Sequence, residues 1–306
     1  MSGLEATDSP DRKRFDWNNF WFAPQSAMPL AVIRFGCGLL VLFYLLSMGT
    51  QAVSWLHPAQ SIVPTETVSQ LFERSWAQIS FFDYIPSATG VQLLHVLAMA
   101  LAMAMAVGLG TRITTTLTWL FFLSYLHRIP FANSLVEPVL AMLLAYLVIE
   151  PGGRAWSLDR WWRIRRGHEA PDEASWTATV ATRLMQLHLS ALVLMIGTNR
   201  LAGEPWWSGM GVWWLIALPE SRLVDLTGLA NLPQFYLVNL WTHLVVALEL
   251  SAVVLLWLPR SRLAMVVALT LVWGSLALLT GQIAWWFAMT LGLLAFLPPQ
   301  RLGART

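Results

Sequence analysis

The sequence predicts an all-α, polytopic transmembrane helical bundle of about eight spans, with an interfacial helix and an ordered outer loop. Three observations carry that reading. The 306 residues are 57% hydrophobic and only 12% charged, about half the charged share of a soluble domain. The apolar residues fall in long runs rather than in the short periodic segments of a soluble core. Eighteen Trp and 14 Phe stand against a single lysine, Lys13, and one soluble core of this size could not hide so much apolar surface. A disordered chain, a secreted disulfide scaffold and an ordinary soluble enzyme are excluded on the same grounds. Cys37 is the lone cysteine, which leaves no intramolecular disulfide and no cysteine-based zinc site. A net charge of +2, with arginines scattered between apolar blocks, carries no nucleic-acid signal.

A bilayer core of ~30 Å needs ~20 apolar helical residues. Eight segments qualify: 28–47, 89–109, 113–127, 134–150, 180–200, 236–258, 263–280 and 283–298. The first has basic residues ahead of it, but its apolar run is long and contains Arg34, so it reads as an anchor rather than a cleaved signal. The third, fourth and eighth are short, which makes each tilted, re-entrant or extended by loop residues. Gly281-Gln282 reads as a tight turn between the last two spans. The stretch 206–218, with Trp206, Trp207, Trp213 and Trp214, is too short and too aromatic to span. It reads as an interfacial helix at headgroup level. The loop 48–88 is rich in Pro, Ser and aromatics, as expected of an ordered cap over the bundle mouth. The chain thus divides into a tail at 1–27, a transmembrane domain at 28–300 and a tail at 301–306.

Charge placement sets the orientation. With the N-terminus in the cytoplasm, thirteen basic residues fall inside: Arg12, Lys13, Arg14, Arg112, Arg154, Arg160, Arg163, Arg165, Arg166, Arg260, Arg262, Arg301 and Arg305. Four, Arg74, Arg128, Arg200 and Arg222, fall outside. That is a positive-inside bias, and it puts both termini in the cytoplasm. The run 154–166 reads as a topogenic basic loop rather than a nucleic-acid site.

Charged groups within hydrocarbon are costly and mark sites by default. Arg34, Arg183 and Glu249 fall in the inner half, and the plain reading is a structural ion network that pairs Glu249 with Arg34 or Arg183. The rival reading is that the trio anchors an anionic headgroup. An outer set comprises His95, Glu137, Asn199, Arg200 and His243. A lone His in a span is ordinarily a hydrogen-bonded core residue. Four spans placing polar groups at similar depth, beneath Trp206 and Trp207, point instead to a cleft for an amphiphile. No Gly-rich phosphate loop, no Gly-x-Ser-x-Gly elbow and no His-Glu-x-x-His is found, and a bound metal is not expected.

Several segments carry a family resemblance. They are Leu30-Ala31-Val32-Ile33-Arg34-Phe35-Gly36, Gly108-Leu109-Gly110-Thr111-Arg112, the run from Pro151 through Arg154-Ala155-Trp156-Ser157-Leu158-Asp159, and Glu249-Leu250-Ser251-Ala252 followed by Pro259-Arg260-Ser261-Arg262. In order and spacing the chain, from about residue 30 to 298, resembles the vitamin K-dependent gamma-carboxylase family in its broad sense, the HTTM (horizontally transferred transmembrane) domain group. Carboxylating members carry Gly-x-Lys-Lys-Leu, whose lysine is the base that attacks reduced vitamin K. Here the matching stretch is Gly197-Thr198-Asn199-Arg200-Leu201. Arginine keeps its proton at any ordinary pH and cannot serve as that base. Lys13, in the tail, cannot replace it. The family's Asn-Asn-His stretch is reduced to Asn133-Ser134, and the large β-rich extramembrane domain of the carboxylase has no counterpart in these residues.

The resemblance therefore implies the fold and a lipid-quinone cavity without glutamate carboxylation. The expected function is binding of an isoprenoid quinone or similar amphiphilic membrane lipid in an outer-facing cavity lined by His95, Glu137, Asn199, Arg200, Trp206, Trp207 and His243. Arg200 would orient a polar head, and His243 would move a proton if redox chemistry occurs. The alternative is a non-catalytic accessory subunit of a larger membrane protein complex. A transporter fits less well, since no inverted repeat is visible. A bacterial cytoplasmic membrane is the expected location for a stand-alone member.

Overall fold

The computed structural model describes residues 16–72, 78–169, 172–219, 223–231 and 234–302. The described elements are α1 (Trp17–Phe22), β1 (Gln25–Ser26), α2 (Met28–Met48), α3 (Ala52–Leu56), α4 (Thr65–Leu71), α5 (Ala88–Val107), α6 (Thr111–Arg128), α7 (Val136–Ile149), α8 (Leu158–Arg165), β2 (Ala174–Ser175), α9 (Trp176–Ala202), α10 (Glu204–Trp207), α11 (Gly211–Ala217), α12 (Phe235–Leu255), α13 (Arg262–Thr280) and α14 (Ile283–Leu293). The fold is an all-α bundle, and each of the eight apolar segments read from the sequence is a helix. Five stretches are long and apolar enough to cross a membrane: Met28–Leu56, Ala88–Val107, Trp176–Ala202, Phe235–Leu255 and Arg262–Thr280. The other three are the ones that looked short. Val136–Ile149 and Ile283–Phe296 are apolar but brief, and α6 opens with five threonines and Arg112 in its first eight residues.

The bundle is inverted relative to a soluble protein on its outside. Leu39, Phe43 and Leu46 of α2, Leu93, Val96 and Leu97 of α5, and Leu237, Leu240 and Leu244 of α12 all point outward and are exposed. A surface so continuously apolar would aggregate in water and is matched by lipid tails. The chain is built as a multi-pass membrane protein.

Local chemistry sets where helices start and stop. Ser87, Ser157 and Ser175 accept from the backbone N–H three residues on, capping α5, α8 and α9. Gly108, at φ +77°, closes α5 in the left-handed conformation that favours glycine. Helices α2 and α5 approach closely because small residues line the contact. A Cβ placed on Gly38 would lie 2.8 Å from the Ala106 Cα, and Ala98, Ala102 and Ala106 recur every fourth residue on the buried face of α5. Around this pair, α7 and α14 pack on α2, while α9 packs on α7, α12 and α14.

Two boundaries shift from the sequence reading. Residues 16–27, assigned to a tail, are folded. Helix α1 lies against α9, and β1 pairs antiparallel with β2, Gln25 opposite Ser175. Of the tail at 301–306, residues 303–306 lie outside the described residues, and Pro299–Leu302 forms a helical turn packed on α2. The interfacial helix at 206–218 is in fact two short helices, α10 and α11, broken at 208–210 where Gly209 takes φ +78°.

The loop after α2 is an ordered cap over much of its length, though residues 73–77 lie outside the described residues. Its anchor is Arg128, fully buried at the end of α6. The guanidinium donates from Nε to the Leu56 carbonyl at 3.0 Å and from Nη2 to the His57 carbonyl at 2.7 Å and the Ser61 hydroxyl at 2.6 Å. Asp83 approaches Nε at 3.6 Å. His57 turns the chain in the same place, accepting at Nδ1 from the Ala59 and Gln60 N–H groups. Several carbonyls of the cap thus share one buried cation, and removing a buried charged partner costs about 3–5 kcal/mol. Arg128→Ala is expected to destabilise the protein by that order and to expose 57–72 and 78–86 to protease, as read by thermal unfolding and limited proteolysis in detergent. Unchanged stability and protection would contradict the clamp.

Candidate functional site

Glu249 is the most demanding residue in the bundle because its carboxylate is fully buried on α12. Gly197 lets α9 come near at this level. A Cβ there would stand 3.3 Å from the Glu249 Cβ and 3.0 Å from a Leu250 methyl. One turn further along α9, Arg200 places Nη1 3.0 Å from Glu249 Oε1. That N–H does not point along the line of contact, so the pair is electrostatic rather than a directed hydrogen bond. Trp273 on α13 supplies the directed bond, donating from Nε1 to the same oxygen at 3.0 Å. Oε2 has no hydrogen-bond partner among the described residues. Arg200 also lies over the Trp206 ring, 4.4 Å from its centroid, in a cation–π contact.

This arrangement corrects the expected ion network. Glu249 pairs with Arg200, not with Arg34 or Arg183. The reason is helix offset. Trp257, just beyond α12, donates to Ser190 Oγ at 3.1 Å, so α12 ends level with the middle of α9. Gly197 is level with Glu249, and Arg183 lies fourteen residues earlier on α9, ~21 Å away along the axis. Arg183 is satisfied nearby. It donates to the Phe20 carbonyl at 3.3 Å and to Gln186 Oε1 at 3.0 Å, and stacks over the Phe20 ring. Arg34 donates to the carbonyls of Pro151 and Trp156, clamping the connection between α7 and α8.

Beside the Arg200 side chain is a cavity of about 400 Å³. Its walls come from α7 (Pro138, Val139), α9 (Leu192, Met195, Ile196), α11 (Leu215), α13 (Leu276, Ala277, Thr280) and α14 (Trp285), with Leu135 and Gln282 from adjoining turns. Arg200 and Trp206 complete it. The lining is largely aliphatic with a few polar groups, Arg200, Thr280 and Gln282, the usual make-up of a site for an apolar ligand with a polar group.

Of the seven residues expected to line one cavity, the structure brings Arg200 and Trp206 together there, and the rest lie elsewhere. His95 is buried between α5 and α6, with Nδ1 2.8 Å from the Tyr125 hydroxyl. Glu137 reaches back to the turn before its own helix, accepting at Oε2 from the Ser134 N–H at 2.7 Å and the Ser134 hydroxyl at 2.9 Å. His243 is exposed on α12 and its Nδ1 lies 2.9 Å from the Asn239 carbonyl one turn back. Asn199 and Trp207 are exposed. Similar depth did not mean a shared face. One residue along a helix turns the side chain by ~100°, which separates Asn199 from Arg200 and His243 from the buried Thr242. The sequence reading missed Thr280, Gln282 and Trp285. Gln282 had been used only as a turn residue, although an amide between two apolar spans is itself a polar signal. Among the described residues, no group of three or more His, Cys, Asp or Glu could hold a metal ion.

The Arg200–Glu249 contact makes a direct demand on stability. Arg200→Ala strands a buried carboxylate and is expected to cost about 3–5 kcal/mol, whereas Arg200→Ala with Glu249→Leu should regain most of it. Unfolding midpoints of the single and double variants measure the coupling. Additive losses would place the partner of Glu249 elsewhere.

No protein-family model, no curated protein and no solved structure matches the chain.

Proposed function

We propose that this membrane protein binds an amphiphilic lipid of the isoprenoid-quinone type in the cavity beside Arg200, and that it does not carboxylate glutamate. The observation that carries the reading is an aliphatic cavity of about 400 Å³ whose polar side is an arginine already paired with a buried carboxylate. A guanidinium has five N–H donors, and Glu249 engages one nitrogen of Arg200. The group can therefore donate to a ligand while the pair as a whole is neutral. A neutral acceptor such as a quinone carbonyl suits it better than a phosphate, which would meet the Glu249 charge behind the cation. Trp206, stacked on the guanidinium, closes the polar side, and Ile196, Leu276 and Ala277 face the tail.

Kinship with the HTTM group belongs to the same proposal and gives the quinone its precedent. Arginine at position 200 excludes the deprotonated amine that carboxylation needs. We place the protein in a cell membrane with both ends of the chain cytoplasmic. What supports this is the charge on the described residues. Arg112, Arg154, Arg160, Arg163, Arg165, Arg166, Arg260, Arg262 and Arg301 gather at the end of the bundle where α2 begins, against Arg128 and Arg200 toward the other.

The test is lipid analysis by mass spectrometry after extraction in mild detergent. About one quinone or related lipid per chain is expected. Thr280→Phe, which fills the cavity without touching the ion pair, should reduce that occupancy severalfold with little change in unfolding midpoint. Occupancy unaffected by Thr280→Phe would overturn the site. A fixed-ratio protein partner with no bound lipid would favour the accessory-subunit alternative.

A further inference from the structure

The basic end of the bundle holds a second cavity, unrelated to the one beside Arg200. It has a volume of about 640 Å³ and lies between the start of α6 and the polar side of α8. Arg112, Arg154, Arg160 and Arg163 line it, with Glu150 and Asp159. Four cations against two anions would leave an excess of positive charge even if every acid faced the cavity, but both acids are held by structural partners. Asp159 accepts from the Gly110 N–H at Oδ1, 2.8 Å, and from the Thr111 N–H at Oδ2, 2.9 Å. Glu150 Oε2 accepts from the Thr177 hydroxyl at 2.6 Å, with Arg154 Nε 3.7 Å away. Arg160 is occupied by the Arg154 carbonyl at 2.7 Å and by Glu173 at 3.2 Å. Among the described residues, no carboxylate lies within ion-pair distance of Arg112 or Arg163. Two guanidinium groups with no carboxylate in ion-pair distance thus line one open cavity with a net positive charge, which attracts an anion.

Helix α8 decides what kind of anion. Its polar side carries Asp159 and Arg163, one turn apart, toward the basic cavity. Its apolar side carries Leu158 and Trp161, which together with Phe35, Ala106, Val107 and Trp156 line a separate, mainly apolar groove of about 430 Å³ along α2 and α5, with Arg34 and Ser157 as its polar members. Trp156, Leu158, Trp161, Trp162 and Ile164 are all exposed. Arg165 and Arg166 sit over the rings of Trp161 and Trp162, 4.9 Å and 5.1 Å from the centroids. A short helix that exposes two indoles, each with an arginine stacked on it, and carries Arg163 toward the basic cavity belongs at the bilayer interface, rings among the upper acyl chains and cations at phosphate depth. The groove beneath α8 continues onto the apolar exterior of α2 and α5. A soluble anion would leave that groove and those indoles uncovered, whereas a lipid covers both.

We propose that this cavity binds the phosphate of an anionic phospholipid, with Arg112 and Arg163 as its principal ligands and the α8 groove receiving an acyl chain. The lipid then fastens α8 and the connection from α7 against the turn between α5 and α6.

The test uses the full chain purified in mild detergent and offered equal amounts of phosphatidylglycerol and phosphatidylcholine, with retained lipid read by native mass spectrometry. Phosphatidylglycerol should be retained in preference, and Arg112→Gln with Arg163→Gln should reduce that preference roughly twentyfold, at about fivefold per arginine. Arg301→Gln, which removes a basic-end charge outside the cavity, should leave it intact. Both substituted arginines are exposed, and an unchanged unfolding midpoint certifies the fold. Should the double variant be unstable, Arg163→Glu alone replaces it, with the same loss expected. Preference that survives in the double variant, or falls equally in Arg301→Gln, would overturn the proposal. Displacement of the lipid by millimolar inorganic phosphate would overturn the choice of a lipid over a free anion.

Discussion

A carboxylate with no access to water, inside a bundle whose exterior is apolar, has to be answered by the protein itself. Glu249 is answered by Arg200 from α9 and by Trp273 from α13. These two contacts bring three helices to one point, where Gly197 lets α9 lie close to α12. The same pairing aims the guanidinium. Held on one side by Glu249 and on another by the Trp206 ring, Arg200 lines the aliphatic cavity. The cavity is therefore a by-product of burying a charge. Its polar edge is fixed by the group that stabilises the helix packing, and its walls are ordinary core residues that stop short of filling the space.

The other buried cations follow the same rule with different partners. Arg34 and Arg128 are both fully buried, and both spend their donors mainly on backbone carbonyls of connections between helices. Arg34 fixes the segment leading to α8, while Arg128 fixes the cap that follows α2. A carbonyl in a turn lacks the helical partner that its neighbours have, and a planar fork of donors can serve several at once. Arginine fits this role where lysine, a single point charge on a flexible stem, does not. That is a physical reading of a chain with one lysine and eighteen arginines. At the basic end, Asp159 adds the converse device: a carboxylate from α8 satisfies the first N–H groups at α6, joining two connections far apart in sequence.

Much of the fold was legible in the sequence because the apolar runs are long and a lipid-facing helix needs no companion pattern to be recognised. All eight segments are helices, and the three that looked short are the three outside the five long apolar stretches. The aromatic stretch after α9 was correctly seen as too short to span, but its break at Gly209 was not foreseen. The site was less legible. Depth along a span follows from counting residues, whereas the facing direction and the relative offset of two helices do not. Arg200 and Trp206 were placed together correctly since they are close in sequence. His95, Glu137 and His243 were grouped with them by depth alone, and each faces another way. The partner of Glu249 was misassigned for the related reason that α9 is longer than the membrane-crossing run within it. Its C-terminal end therefore reaches the level of Glu249, while Arg183 stays near α1.

The most direct measurement of the central claim is a side-chain-resolution cryo-electron microscopy map of the protein in lipid nanodiscs. The expected result is an elongated density lying between α7, α9, α13 and α14, ending beside an Arg200 that is in contact with Glu249. A map in which that space is closed, or in which Glu249 meets Arg34 or Arg183 and Arg200 turns to solvent, would contradict it.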